Sequence, residues 1–154
     1  MVFKVLRFVN LLLASLFAGN AVGATVFFHP ALDTISTQAQ VEAQRAITRR
    51  FQPAMRALMP AFVLSCLAML SLMPDRKSAS FRLSLAGTAG VVAMLGMTAL
   101  EIPFNKRTLA TSPDDPPADW HEMRAHWERY NALRTGCEVA GWCCLSLGAV
   151  TDAR

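Results

Sequence analysis

Six residues of this chain, Trp120, Arg124, Trp127, Asn131, Arg134 and Glu138, recur at alternating intervals of four and three. At 100° per residue they fall within roughly 80° of one another on a helix. Their types suit a site with an aromatic wall and a cation. Tryptophans form a flat apolar wall, and a guanidinium stabilises negative charge as it develops. The opposite face carries Ala132, Leu133, Val139, Ala140, Cys143 and Cys144. Ionisable groups at membrane depth are costly and normally face a bundle interior, where they pair or line a cavity. The competing reading is an aromatic belt at the membrane interface, with a structural ion pair from Arg134 to Glu138 or Glu101.

Glu101 is followed by Pro103-Phe104-Asn105, and on its own helix Gly87, Gly90, Met94 and Met97 share one face. Those glycines either let two helices approach closely or, with pliable methionines beside them, leave room for a flat apolar ligand. His29, followed by Pro30, is a candidate base, a metal ligand or a wet interfacial residue. His121 and His126 are five apart and point about 140° from each other on a helix, so they cannot form an i,i+4 metal pair. No metal site is expected, and no phosphate loop or local nucleophile–base pattern occurs. Cys66, Cys137, Cys143 and Cys144 lie inside apolar segments with no C-x-x-C spacing, as befits buried small hydrophobes rather than a disulfide framework.

These residues hang on four apolar segments, residues 5–28, 54–73, 81–102 and 130–150. Each is long enough to cross a bilayer as a helix. The composition agrees, with 53% hydrophobic and 17% charged residues, against about 25% charged in a soluble domain. Residues 11–17 and 61–72 offer no polar face to water, which disfavours a soluble bundle. The expected fold is all-α: an antiparallel four-helix transmembrane bundle, one membrane domain over residues 1–154. The net charge of +4 comes with basic residues near helix ends, which suits lipid head groups. No nucleic-acid partner is expected. The first segment has the basic start and small-residue exit of a signal peptide, but it runs on to spanning length and is expected to stay. Ser15, Gly19 and Gly23 form a ladder suited to close helix packing, within the bundle or in a homo-oligomer.

An even number of spans puts both termini on one side, with a weak lean to the cytoplasm. The two longer connections, residues 29–53 and 103–129, then share the other side, while residues 74–80 make a short plain turn. Thr37 and Gln40 are expected to form a capping box opening an interfacial helix, with Arg45, Arg49 and Arg50 towards lipid phosphates. Pro53 is expected to kink or restart the chain. Asp119 and Glu122 are expected to cap the fourth helix.

The stretch Glu101-Ile102-Pro103-Phe104-Asn105-Lys106, then Pro116-Pro117-Ala118-Asp119-Trp120, then Trp127 to Asn131 and Arg134, resembles the signature of the anthrone oxygenase-like family of small four-helix membrane proteins. His29-Pro30 after a glycine-containing first span is similar too. Where family members can carry His, this chain has Asn131. The resemblance implies oxidation of an anthrone, or a similar hydrophobic aromatic, by O₂ without a cofactor. It implies His29 or Glu101 as base and Arg134 with Asn131 holding the oxyanion. Trp120 and Trp127 would stack on the rings, with Asn105, Arg124, Met94 and Met97 completing the binding wall. The rival class is a non-catalytic membrane protein that binds a hydrophobic ligand or a partner subunit.

Overall fold

The computed structural model describes residues 1–152, so Arg154 of the plain end, and the last two residues of the expected domain, lie outside the described residues. The architecture is all-helical, with no strand among the described residues. Helix α1 (Val2–Gly23) passes through a π-helical turn (Ala24–Phe28) into the short α2 (His29–Leu32). Then follow α3 (Thr37–Leu72), α4 (Ala79–Ala110) and α5 (Trp120–Asp152). The long helices form an antiparallel bundle in which α3 and α5 each lie between α1 and α4.

Three helical stretches are long and apolar enough to cross a membrane: Val2–Leu32, Thr37–Leu72 and Ala79–Ala110. Only about a quarter of each such stretch is buried within the bundle, and large side chains such as Phe8, Leu12, Leu67 and Leu85 stand outward. Outward apolar faces need lipid as their solvent. The fourth expected span, in α5, does not reach that apolarity, because its stripe puts Arg134 and Glu138 inside the stretch. Its place comes from packing against α4 and α1.

Helix α4 meets α5 most closely, through glycine. A Cβ on Gly90 would lie 3.0 Å from the Cys137 carbonyl oxygen and 3.0 Å from Gly141 Cα; one on Gly87 would lie 2.9 Å from the Gly141 oxygen. Of the two uses open to Gly87 and Gly90, close helix approach is therefore the one realised. The Ser80 hydroxyl donates to the Gly148 carbonyl across the same seam at 2.7 Å. The main core, on the plain half, joins Ala14, Phe17, Phe62, Cys66, Val91, Met94 and Leu145, with Phe17 stacked on Phe62 at 5.2 Å. Asn10 donates to Ser65 Oγ at 2.9 Å. By contrast, Gly19 and Gly23 have open space where a Cβ would be, so they do not pack within the bundle.

The helices are longer than the apolar segments. The expected restart at Pro53 does not occur: α3 runs unbroken through Pro53 and Pro60. Proline forfeits one hydrogen bond without abolishing a helix held at both ends. The cap of α3 is Ser36, whose hydroxyl accepts from the Ala39 amide at 3.3 Å, one residue before the expected Thr37. Gln40 instead turns to Trp120 Nε1, accepting at 3.3 Å. Likewise α4 continues past Pro103 to Ala110. The Asp119 carboxylate, just before α5, is taken by Arg107 at 2.6 Å. The elaborated end is thus a helical cap, with its own small core of Val41, Trp120 and Met123 beside Phe104.

Candidate functional site

A cavity of about 1550 Å³ occupies the elaborated half of the bundle. Its walls come from the end of α1 and the π turn, residues 44–64 of α3, the end of α4 and the middle of α5. It is larger than the roughly 300–1,000 Å³ usual for a drug-sized ligand. His29, Glu101, Asn105, Trp127, Asn131 and Arg134 all line it, so the structure brings together residues from three helices spread over a hundred positions.

The charged centre is Arg134. Its Nε lies 3.4 Å from Glu101 Oε1 and 3.7 Å from Glu138 Oε1, with both carboxylates almost fully buried. One guanidinium therefore serves two acids. Of its five N–H donors, one is placed in a hydrogen bond among the described residues, from Nη2 to Asn131 Oδ1 at 2.7 Å. Asn131 in turn donates from Nδ2 to Thr25 Oγ1 at 3.0 Å, and Thr25 and Thr135 hydroxyls meet at 2.9 Å. The π turn makes this relay: its wider winding sets Thr25 against α5. Single π turns of this kind cluster at functional sites.

A second group fixes His29. Arg124, buried, donates from Nη2 to the His29 carbonyl at 2.9 Å and pairs with Asp33 at 3.0 Å and Glu128 at 2.8 Å. The His29 ring meets Trp127 edge-on, with centroids 4.8 Å apart. Two buried atoms of residues on the cavity wall, His29 Nδ1 and Trp127 Nε1, have no hydrogen-bond partner among the described residues, while Glu101 Oε1 and Arg134 Nε meet in the ion pair without hydrogen-bond geometry. Buried polar atoms are rarely left so.

Not every expected residue stands there. Trp120 is fully buried in the cap, beside Val41 and Met123, and does not line the cavity. Arg124 acts behind His29. Met94 is buried in the main core, and Met97 is off the cavity wall. The apolar wall comes instead from α3, with Phe51, Met55, Met59 and Val63. Sequence reasoning took that part of α3 for an interfacial helix and a fresh span. Thr25 was also missed, because one hydroxyl in an apolar run gives no signal without the π turn. No three His, Cys, Asp or Glu among the described residues are grouped to hold a metal ion.

Fold and site together define a membrane-type helical bundle with a large, mostly apolar cavity beside a buried Arg–carboxylate centre. The particular kinship is given by comparison: the anthrone oxygenase family model matches residues 47–144, and the chain belongs to that family. No curated protein and no solved structure matches the chain.

Proposed function

We propose that the chain crosses the bilayer several times and oxidises an anthrone, or a similar flat hydrophobic aromatic, with O₂. The observation that supports this reading is the convergence of His29, Glu101, Asn131 and Arg134 on one cavity. The chemistry balances with those groups alone. A base removes a proton from the CH₂ between the rings, leaving an anthrolate whose charge rests largely on oxygen. The anthrolate passes an electron to O₂, the two radicals join as a peroxide anion at that carbon, and the protonated base returns its proton to give the hydroperoxide. Loss of the second C–H proton with cleavage of the O–O bond leaves a ketone and releases one water.

His29 and Glu101, both on the cavity wall, are the two candidate bases. Arg134, held by Asn131, stabilises the oxyanion with its remaining donors. Trp127 packs on the rings. Arg124 and Thr25 touch no substrate; they position His29 and Asn131.

The test is O₂ uptake by the purified protein with an anthrone, against uncatalysed autoxidation. Arg134→Leu should lower turnover on the order of 10²–10³-fold, the usual loss for one oxyanion donor. Trp127→Ala should mainly weaken binding. Whichever of His29→Gln and Glu101→Gln abolishes proton removal identifies the base. Wild-type protein no faster than autoxidation would leave the rival reading, a non-catalytic carrier of a hydrophobic ligand.

A further inference from the structure

Part of the cavity wall is made of exposed apolar side chains. Leu64 (63% exposed), Ile102 (47%), Phe28 (39%) and Phe51 (37%) line it and at the same time stand on the outer surface of the bundle. Exposed apolar side chains on the wall of a cavity fit a wall that is thin or interrupted there. On the α1 side, α1 and α3 meet at Asn10–Ser65 and Phe17–Phe62. Beyond that pair, Asn20 and Gly23 face the cavity, with open space at Gly23. On the α4 side, Leu64 and Ile102 mark a second gap.

The element between these gaps is built to bend. Pro53 and Pro60 both lie inside α3. Each removes one helical hydrogen bond, to the carbonyl of Arg49 and of Arg56. Among the described residues no side-chain hydrogen bond or ion pair ties residues 49–61 to another helix. Either side of them, α3 is anchored. Gln40 bonds Trp120 and Val41 packs on it; Phe62 stacks on Phe17, and Asn10 bonds Ser65 and Cys66. The result is a strap over the cavity, pinned at both ends and held in the middle only by apolar contact.

We propose that the cavity is loaded from the bilayer past the stretch of α3 between Pro53 and Pro60, so that its ligand is a lipophilic molecule dissolved among acyl chains rather than one arriving through water. This rests on the cavity being the ligand site. Such a molecule is already out of water, so it passes from one apolar medium to another without a desolvation penalty. Its chemistry is therefore an apolar body with one or two polar groups that reach Arg134 and His29.

The experiment uses the full chain in phosphatidylcholine vesicles containing a phosphatidylcholine whose acyl chain carries a diazirine. After illumination, labelled peptides are mapped by mass spectrometry. Label is expected on Met59, Asn105 and Trp127 inside the cavity, as well as on the outward Leu16 and Leu147. A water-soluble carboxylated diazirine should label the inner three weakly. Plugging both gaps with Gly23→Phe and Leu64→Trp should remove most of the inner label and leave the outer label unchanged, with unchanged thermal unfolding in detergent as the folding control. Label confined to outward residues, inner label that survives the plugs, or stronger inner labelling by the water-borne reagent would each overturn the proposal. The comparison of the two reagents on unaltered protein decides the matter even if the plugged variant misfolds. Access is read here without turnover. A chain inert towards an anthrone but labelled inside by lipid would lose the catalytic reading and keep this one.

Discussion

Replacing Arg134 by Gln should destabilise the protein more than replacing either carboxylate it serves. The reason is the count of charges. Arg134 Nε lies 3.4 Å from Glu101 and 3.7 Å from Glu138. At an effective dielectric of about 20, those separations correspond to roughly 4.9 and 4.5 kcal/mol of attraction. Desolvation offsets part of that, so a realistic net loss on breaking the centre is about 3–5 kcal/mol, the usual cost of stranding a buried charge. Arg134→Gln strands two carboxylates; Glu101→Gln leaves Arg134 paired with Glu138 and should cost about half as much or less. The sharper consequence is in the double variant. Once Arg134 is gone, Glu101→Gln removes a buried unpaired acid and should be neutral or stabilising. The assay is a double-mutant cycle by thermal or denaturant unfolding in detergent. Losses that simply add, within about 0.5 kcal/mol, would refute the shared-guanidinium argument, as would a Glu101→Gln cost equal to that of Arg134→Gln.

Thr25→Val removes the hydroxyl that accepts from Asn131; it should cost about 1 kcal/mol of stability and misplace Arg134, lowering turnover more than binding, and Thr25→Ser should restore both. Gly90→Leu should prevent α4 from seating on α5, because the new Cβ meets backbone at 3.0 Å, whereas Gly96→Ala has open space and should raise stability by up to about 1 kcal/mol through helix propensity; thermal unfolding distinguishes the two. Trp120→Phe loses the bond to Gln40 and should reduce stability by about 1 kcal/mol while leaving ligand affinity, measured by titration, unchanged.

The apolar segments and the stripe were legible in the residues because they depend on local periodicity. A face of α5 carrying Arg124, Trp127, Asn131 and Arg134 follows from 3.6 residues per turn whatever the rest of the chain does. So does the gathering of unusual residues at one end, since antiparallel spans place alternate connections together. The ion pair of Arg134 with Glu101 was open to inference on the same grounds, as one partner ends α4's apolar stretch and the other begins α5's.

Other features belong to the tertiary structure. Trp120 and Trp127 occupy one stripe with equal claim to a ligand, yet Trp120 is consumed by the cap core and Trp127 reaches the cavity. Which of two stacked turns meets a neighbouring helix depends on where that helix runs, and a helical wheel carries no such information. The π turn that delivers Thr25 to Asn131 is likewise invisible in composition, because a one-residue change in winding costs little and is chosen by the packing it permits. The continuity of α3 through Pro53 and Pro60 was decided at long range: anchors on Trp120 at one end and Phe17 at the other hold the helix across the bonds its prolines forgo. Residues alone determined that this chain belongs in lipid and where its charge lies; the packing of α3 against α1 and α4 decided that a cavity lies beside that charge.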